Sequence, residues 1–252
     1  AHYENFNGFP CMIITSEYAL VCTADYQKGF LYKGAGHLRL LQDLYQSYKL
    51  LCKPLFHVIN YLPMDGSLQQ MYRINPSYIL QPEACITPLI DDTLLEKAVY
   101  PQLPDRDTFI RQSSALLADN RKLLSSEKIF IYFTIPGLRQ FLSSGRVHEI
   151  PDEFYRPLTP SEGKQILAKM IPYCKTGVYR LLKYPLSQLT ENLHLVANQT
   201  MGYLLFKDIR GQILCLTFNE PSLLEAFLDY MESLDHGYIY PYEDAARMVQ
   251  EL

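Results

Sequence analysis

The sequence lacks the features that most readily assign a chain to a class. It has no tryptophan among its 252 residues, and no run of 18 apolar residues that would predict a membrane span. Basic residues number 23 and acidic residues 27, which gives a net charge of -4. Proteins that clamp nucleic acid are usually basic, so the composition argues against this role for the chain alone.

Cysteine and histidine lie at spacings that predict neither a disulfide framework nor a metal site. No cysteine pair has the C-x-x-C spacing, and several cysteines fall in apolar segments: Cys11, Cys22, Cys52, Cys85, Cys174 and Cys215. We therefore expect buried, reduced thiols in a cytoplasmic protein. The six histidines form neither H-x-x-x-H nor H-E-x-x-H, so no metal ligands are predicted. His194 alternates with two leucines, which predicts an outward-facing or a half-buried, hydrogen-bonded side chain.

Motifs for catalysis and nucleotide binding are missing as well. The chain has neither a G-x-S-x-G elbow nor a G-x-x-x-x-G-K-[ST] loop. The cluster 34–37, G-A-G-H, precedes a predicted helix whose N-terminus suits an anion, but Arg39 stands where a dinucleotide fingerprint needs glycine. A plain loop-to-helix joint is therefore favoured there. We predict no catalytic residue, no metal ligand and no cofactor, and we leave the ligand-binding residues unassigned.

Paired acids and tyrosines are the remaining candidates for a site. The acids stand where helices are expected to begin, which suits the helix dipole better than acid–base catalysis: Asp91-Asp92, Asp105 with Asp107, Asp152-Glu153 and Glu243-Asp244. The 20 tyrosines suit either the rim of a core, which we favour, or a binding surface. The best candidates for such a surface are the stripe Tyr238, Tyr240 and Tyr242 and the pair Tyr179 and Tyr184.

Two hairpin-plus-helix segments share one order of predicted elements. The early segment, about 12–51, and the late segment, 193–234, each read as an apolar run, a strand, a turn, a return strand and an amphipathic helix. Residues 207–211 predict the late hairpin turn, and Asn219 is the predicted cap of the late helix. A true duplication and a chance likeness both remain open. With helical segments between them, we predict a mixed α/β (α+β) fold.

The length suits one large domain or two small ones. We treat 1–252 as a single regulatory or effector domain, with an alternative division into halves 1–145 and 161–252 joined by the connector 146–160. Thr159 and Glu162 predict a capping box directly after this connector. The chain starts at Ala1 with neither an initiator methionine nor a signal peptide, so we expect it to be part of a longer protein.

The late segment also carries a resemblance to a known family. The strings Y-L-L-F (203–206), I-L-C-L (213–216) and E-P-S-L-L-E-A-F-L-D-Y-M-E-S-L (220–234) resemble the end of the effector half of certain Firmicutes regulators. In those regulators a Cro/repressor-type helix-turn-helix head precedes a companion domain. The resemblance implies a homo-oligomer that contacts DNA only through a head outside residues 1–252. No contact with a membrane is expected, because no apolar run is long enough to span one.

The same order of elements resembles phospholipase-D-like halves, which some sugar-responsive regulators contain without activity. That superfamily's catalytic pattern is H-x-K-x-x-x-x-D. Arg39 and Leu44 occupy its lysine and aspartate positions after His37, and Val196 occupies the lysine position after His194. The resemblance therefore implies a scaffold without phosphodiesterase chemistry.

These observations favour a non-enzymatic sensor or oligomerisation domain of a bacterial transcriptional regulator. A small-molecule effector is expected between the two hairpin-plus-helix segments. One alternative is an enzyme with an unrecognised site, either a degenerate phosphodiesterase or a transferase, which a deep pocket with convergent titratable groups would favour. The other is a protein-interaction module, which a large apolar surface patch would favour.

Overall fold

The fold is that of a computed structural model, which describes residues 11–23, 25–60, 77–125, 128–183, 193–207, 213–235 and 237–252. By its internal contacts the chain divides into an N-terminal unit, Ala1–Pro54, and a C-terminal unit, Leu55–Leu252. No helix within the described ranges is long and apolar enough to cross a membrane.

The N-terminal unit is an antiparallel sheet followed by one helix. Its strands pair in the order β1-β2-β3, and the bounds are β1 Cys11–Ile14, β2 Tyr18–Cys22, β3 Gly29–Lys33 and α1 Ala35–Leu51. Asp25 closes the turn after β2 by accepting hydrogen bonds from the Thr23 hydroxyl and from the backbone N–H of Gln27. Gly34 precedes α1 with φ of 95°, a conformation that glycine adopts without strain.

The C-terminal unit is built on a mixed sheet of seven strands in the described part of the chain, in the order β4-β10-β9-β8-β5-β6-β7. The pairs β5-β6 and β6-β7 are parallel, and the other neighbours are antiparallel. The bounds are β4 His57–Asn60, β5 Tyr78–Leu80, β6 Phe130–Phe133, β7 Tyr179–Leu181, β8 Leu193–Ala197, β9 Gly202–Lys207 and β10 Ile213–Phe218.

Both faces of this sheet are covered at its central strands, because the side chains there alternate between two apolar clusters. In β5, for example, Ile79 belongs to the larger cluster and Leu80 to the smaller one. The helices of the unit are α2 Asp92–Ala98, α3 Arg106–Ser125, α4 Ile135–Ser144, α5 Pro160–Lys175, α6 Pro221–Ser233 and α7 Tyr242–Gln250. Buried residues of α6 join the smaller cluster, and those of the other helices join the larger one.

Arg180, on the strand β7, ties the sheet to the end of α6. Its guanidinium lies 3.7 Å from the centre of the Phe130 ring, and it donates hydrogen bonds to the Tyr132 hydroxyl and to Asp235. The Tyr132 hydroxyl in turn donates to the backbone carbonyl of Met231 at 3.1 Å. A buried guanidinium needs such partners, so this cluster holds α6 against its own face of the sheet.

The predicted mixed α+β class and the two hairpin-plus-helix segments are confirmed. Each segment is a three-stranded antiparallel meander followed by a helix, β1-β2-β3-α1 and β8-β9-β10-α6. Residues 208–211 of the predicted late turn lie outside the described residues.

The helix starts follow the predicted signals, with one exception. The capping box of Thr159 and Glu162 is confirmed, and Asp91 caps α2 by accepting from the N–H of Leu94 at 2.8 Å. The prediction of Asn219 as the cap of α6 is wrong. The helix begins at Pro221, so the cap falls on Glu220, whose longer side chain reaches the N–H of Leu223 at 2.9 Å.

The connector 146–160 lies inside the C-terminal unit, where Val147, Phe154, Tyr155 and Leu158 are buried. The single domain 1–252 and the halves 1–145 and 161–252 stay predictions.

Gly137 of α4 should not tolerate even one added methyl group. A Cβ there would lie 2.0 Å from the carbonyl oxygen of Pro82 and 2.6 Å from the backbone nitrogen of Glu83, and backbone atoms cannot move aside cheaply. We expect Gly137→Ala to lower the free energy of unfolding by about 1–3 kcal/mol or more in urea denaturation. Arg139→Ala, at an exposed position of the same helix, is the matched control and should change it by less than about 0.5 kcal/mol. Equal effects of the two substitutions would contradict this packing.

Candidate functional site

An apolar pocket lies in the C-terminal unit between α2, α3 and the connector 146–160. Its cavity volume is about 70 Å³. Most of its wall is apolar, with the large side chains Leu95, Val99, Phe109, Leu117, Phe154 and Leu158. Polar groups reach it at Thr87, Ser113, Asn120, Glu149 and Tyr155. An apolar pocket with a few convergent polar groups is the usual form of a small-molecule site.

The sequence of α3 explains why space is left on this side. Phe109, Ser113, Leu117 and Asn120 recur at helical spacing and therefore share the face that lines the pocket. Two members of this stripe are short or polar where a packed core would carry large apolar side chains. The space between α3 and the connector therefore stays partly unfilled.

Buried polar contacts hold the connector in place, because it has little regular structure of its own. Arg146 donates to the backbone carbonyls of Asp152 and Tyr155, at 3.1 and 2.7 Å. Lys207, at the end of β9, donates to the carboxylate of Asp152 at 2.6 Å and to the carbonyl of Val147 at 3.3 Å. The Tyr155 hydroxyl accepts a hydrogen bond from the N–H of Val147 at 2.7 Å. The pocket wall is thereby fixed to the sheet.

Glu83 ties the connector to the segment that follows β5. Its Oε1 lies 2.9 Å from both the backbone nitrogen and the ring Nδ1 of His148. Burial acts to raise the pKa of Glu83, but the hydrogen bond and charge of His148 outweigh it, and the pKa lies below its usual value. The lowered pKa holds the Glu83 carboxyl in its charged form, and the pair has very little exposure to solvent.

Glu149 is the ionisable carboxyl in the wall of the pocket. It is 2% exposed, and it accepts a hydrogen bond from the Thr87 hydroxyl. Burial raises the pKa of Glu149, and the charge of Glu83 adds to this, while hydrogen bonds from Thr87 and Cys85 act against it. The net pKa is above the usual value, so the fold favours the protonated, uncharged carboxyl more than water does.

His194 is also buried, and the prediction of an outward-facing or half-buried, hydrogen-bonded side chain is wrong. Burial lowers its pKa to about 3, so the imidazole is neutral at physiological pH. Neither ring nitrogen has a hydrogen-bond partner among the described residues, and the ring lies edge-on to Tyr203. Alternation predicts the face of a strand, but both faces of this sheet are covered by helices.

The tyrosine candidates separate into surface and core. Tyr238 and Tyr242 are exposed, and Tyr240 packs partly against the core. Tyr179 is fully buried and donates its hydroxyl to the carbonyl of Cys85 at 2.6 Å, so it offers no binding surface. Tyr184 lies outside the described residues.

Two other groups of predictions need partial correction. All six cysteines are free and four are buried, but Cys11 is half-buried and Cys52 is exposed. Most of the paired acids lie at helix starts as expected, namely Asp91, Asp92, Asp105, Asp107, Glu243 and Asp244. Asp152 and Glu153 do not, because they lie within the connector, where Asp152 pairs with Lys207.

The glycine cluster 34–37 is a joint between β3 and α1, and the His37 ring contacts the Lys33 carbonyl at 3.1 Å. Among the described residues, no three histidine, cysteine or acidic side chains are grouped closely enough to hold a metal ion.

No sequence pattern predicted Thr87, Glu149 or the pocket. Thr87 and Glu149 are 62 residues apart in the chain, and no local pattern connects them. The available signal was Ser113 in the middle of the apolar stripe of α3. The pocket also lies wholly within the C-terminal unit, so an effector between the two hairpin-plus-helix segments stays a prediction.

Comparison with known proteins does not assign the chain to a family. No protein-family model matches it, and a search of the curated proteins finds no match. Among solved structures, it is similar to TrmBL2, an archaeal chromatin protein whose structure is reported to show a novel mode of DNA binding. The TM-score is 0.34 and the identity 12%, over 81% of this chain and 64% of that chain. The chain thus spans less than two thirds of that protein, and a likeness this low carries no argument about fold or function.

The raised pKa of Glu149 predicts a dependence of stability on pH. Its stabilising contribution is complete below the pKa of the unfolded carboxyl and is lost as the pH rises through the higher folded pKa. Glu149→Gln removes this titration. The free energy of unfolding of the wild type, relative to that of the variant, should therefore fall in urea denaturation as the pH rises above the usual glutamate pKa of about 4.3. Glu153→Gln, exposed in the same connector, should leave the wild-type slope unchanged. Parallel pH profiles for wild type and Glu149→Gln would show that Glu149 titrates normally.

Proposed function

We propose that the chain is a non-enzymatic sensor domain of a bacterial transcriptional regulator, and that the pocket between α2, α3 and the connector is its effector site. The observation that carries the proposal is a preformed apolar pocket whose wall is an irregular segment held by buried polar contacts. Contact with DNA is assigned to a helix-turn-helix head outside residues 1–252. We take both compact units to belong to one effector domain.

The connector offers a route by which occupancy of the pocket reaches the sheet. Ile150 lines the pocket, and its carbonyl accepts a hydrogen bond from Lys207 at 3.4 Å. Lys207 ends β9, which pairs with β8 and β10 of the late hairpin-plus-helix segment. A ligand that moves or stiffens the connector therefore acts directly on these strands. Signalling requires such a difference between the free and occupied states.

An enzyme is the alternative class of protein, because a pocket with a carboxyl of shifted pKa also suits catalysis. The buried groups around Glu149 do not supply a nucleophile. Burial holds the pKa of the Cys85 thiol well above its usual value, and nearby Glu149 raises it further. Burial likewise raises the pKa of Tyr155. Thiol and phenol therefore stay protonated and are poor nucleophiles, which favours binding over turnover.

Hydrogen exchange with a small probe tests the sensor role. We expect saturating 1-butanol to slow amide exchange in residues 147–158 and also in β9, through Lys207. Ser113→Leu places an apolar side chain in the pocket and should abolish both effects. Ser114→Leu, the adjacent position on α3 that does not line the pocket, should preserve them. Slower exchange confined to the pocket wall, with β9 unchanged, would count against signal transfer. Consumption of the probe would support an enzyme.

Oligomerisation is a second candidate function, favoured by the surface of α1. Leu40 and Leu51 are 67% and 78% exposed, and Leu44 is exposed between them on the same side of the helix. The paired strands before α1 expose Ile13, Phe30 and Leu31 as well. Exposed apolar surface of this kind is typical of interfaces, and the predicted homo-oligomer gives it a role.

Charge on this surface should weaken self-association. We expect the double variant Leu40→Glu/Leu44→Glu to raise the dimer dissociation constant about tenfold or more in analytical ultracentrifugation, because unpaired carboxylates would be buried in the interface. The charge-matched control Gln42→Glu/Gln46→Glu alters exposed positions on the opposite side of α1 and should have a smaller effect. A wild type that stays monomeric at high concentration would rule out this role.

A further inference from the structure

The charge pattern of the pocket restricts what it can bind. Among the residues that the structure describes, its lining contains no lysine, arginine or histidine. Basic side chains do contact backbone carbonyls of the lining, but each also has another partner. Arg121 contacts Ile90 and lies 3.8 Å from Asp92, while Lys207 contacts Ile150 and pairs with Asp152. Arg146 contacts Tyr155 and lies 3.7 Å from Asp152. An anion inside the pocket would lose its hydration without gaining a counter-charge.

A cation fits little better. Its partner would be Glu149, which already accepts hydrogen bonds from Thr87 and Cys85 and lies close to the charge of Glu83. Glu83 itself is already held by the backbone N–H and the imidazole of His148. Ionising Glu149 for a ligand would place a second carboxylate beside Glu83 in a buried environment, which costs free energy that the ligand would have to supply.

Uncharged hydrogen-bonding groups do face the pocket. Ser113 and Asn120 lie two turns apart on the lining face of α3, and neither side chain makes a hydrogen bond with another described residue. The Thr87 hydroxyl and the Glu149 carboxyl form a second polar point in the wall. A ligand that carries a hydroxyl or carbonyl group can therefore be oriented without carrying charge.

The size of the cavity limits the apolar part of the ligand. At about 70 Å³ it has roughly half the volume of the ~150 Å³ apolar cavity that accepts benzene. An occupant that requires no rearrangement therefore has an apolar body of only a few carbon atoms. A larger one requires the connector or α3 to move, which is the change that the sensor role needs.

We infer that the pocket takes a small, uncharged, mainly apolar molecule with a hydroxyl or carbonyl group that binds to the polar side chains at Ser113, Asn120 and the Thr87–Glu149 pair. This inference rests on the proposed effector site and adds the chemical class of its ligand.

Three probes of nearly equal shape test the class. At about pH 7, 1-butanol is neutral, butyrate is an anion and butylammonium is a cation. We expect 1-butanol to bind with a millimolar dissociation constant, measured from the NMR shifts of amides in α3 and the connector. Each charged probe should bind about tenfold or more weakly. Ser113→Leu should abolish binding of 1-butanol, and Ser114→Leu should retain it.

Glu149→Gln tests whether a charged carboxylate in the pocket binds a cationic ligand. It removes the one acidic side chain among the described lining residues, so any binding of butylammonium that depends on a carboxylate there should be lost. Stronger binding of butylammonium than of 1-butanol to the wild type, lost in Glu149→Gln, would overturn the inference in favour of a cation site. Stronger binding of butyrate would overturn it in favour of an anion site. In either case the pocket would remain an effector site. If none of the three probes shifts the NMR signals of the lining amides, both the inference and the effector site are overturned. This outcome is measured on the wild type alone, so it does not depend on whether a variant folds.

Discussion

The buried pair between Glu83 and His148 is the interaction on which the rest of the pocket depends. A carboxylate in the interior requires a partner, and this one is supplied from the connector by both a backbone N–H and an imidazole. Removing one member of such a pair typically costs roughly 3–5 kcal/mol, because the other charge is left unpaired. Position 148 is thereby fixed, and with it the neighbouring Glu149 and Ile150 that line the pocket.

Local sequence signals predicted the elements well and their surroundings poorly. The cap at Asp91 and the box at Thr159 and Glu162 are formed by neighbours in the chain, and a sequence displays them directly. The failure at His194 has a cause of this kind. Periodicity identifies the face on which a side chain lies, but whether that face meets water or another element depends on distant parts of the chain.

The pocket is harder to predict for the same reason. Its polar point joins Thr87 and Glu149 across 62 residues, and its volume is the space that α2, α3 and the connector fail to fill. The serine within the apolar stripe of α3 was visible in the sequence. A cavity forms beside this serine only because the connector packs against the stripe without filling the space.

The two faces of the seven-stranded sheet carry different parts of the C-terminal unit. The pocket residues belong to the face with the larger cluster, and α6 is held on the other face by Arg180 and Asp235. Anything that links the pocket to α6 must therefore pass through the strands. Lys207 joins the connector to these strands, because it contacts the connector from the end of β9.

The distribution of the free thiols has a practical consequence. The thiols of Cys174 and Cys215 are buried and their pKa values are raised to about 12 by burial, which leaves almost no thiolate. Cys52, just beyond α1, is exposed. A thiol-reactive fluorophore or spin label applied to the native protein should therefore attach at Cys52 first. It would provide a reporter beside the helix on which self-association is expected, without any engineered cysteine.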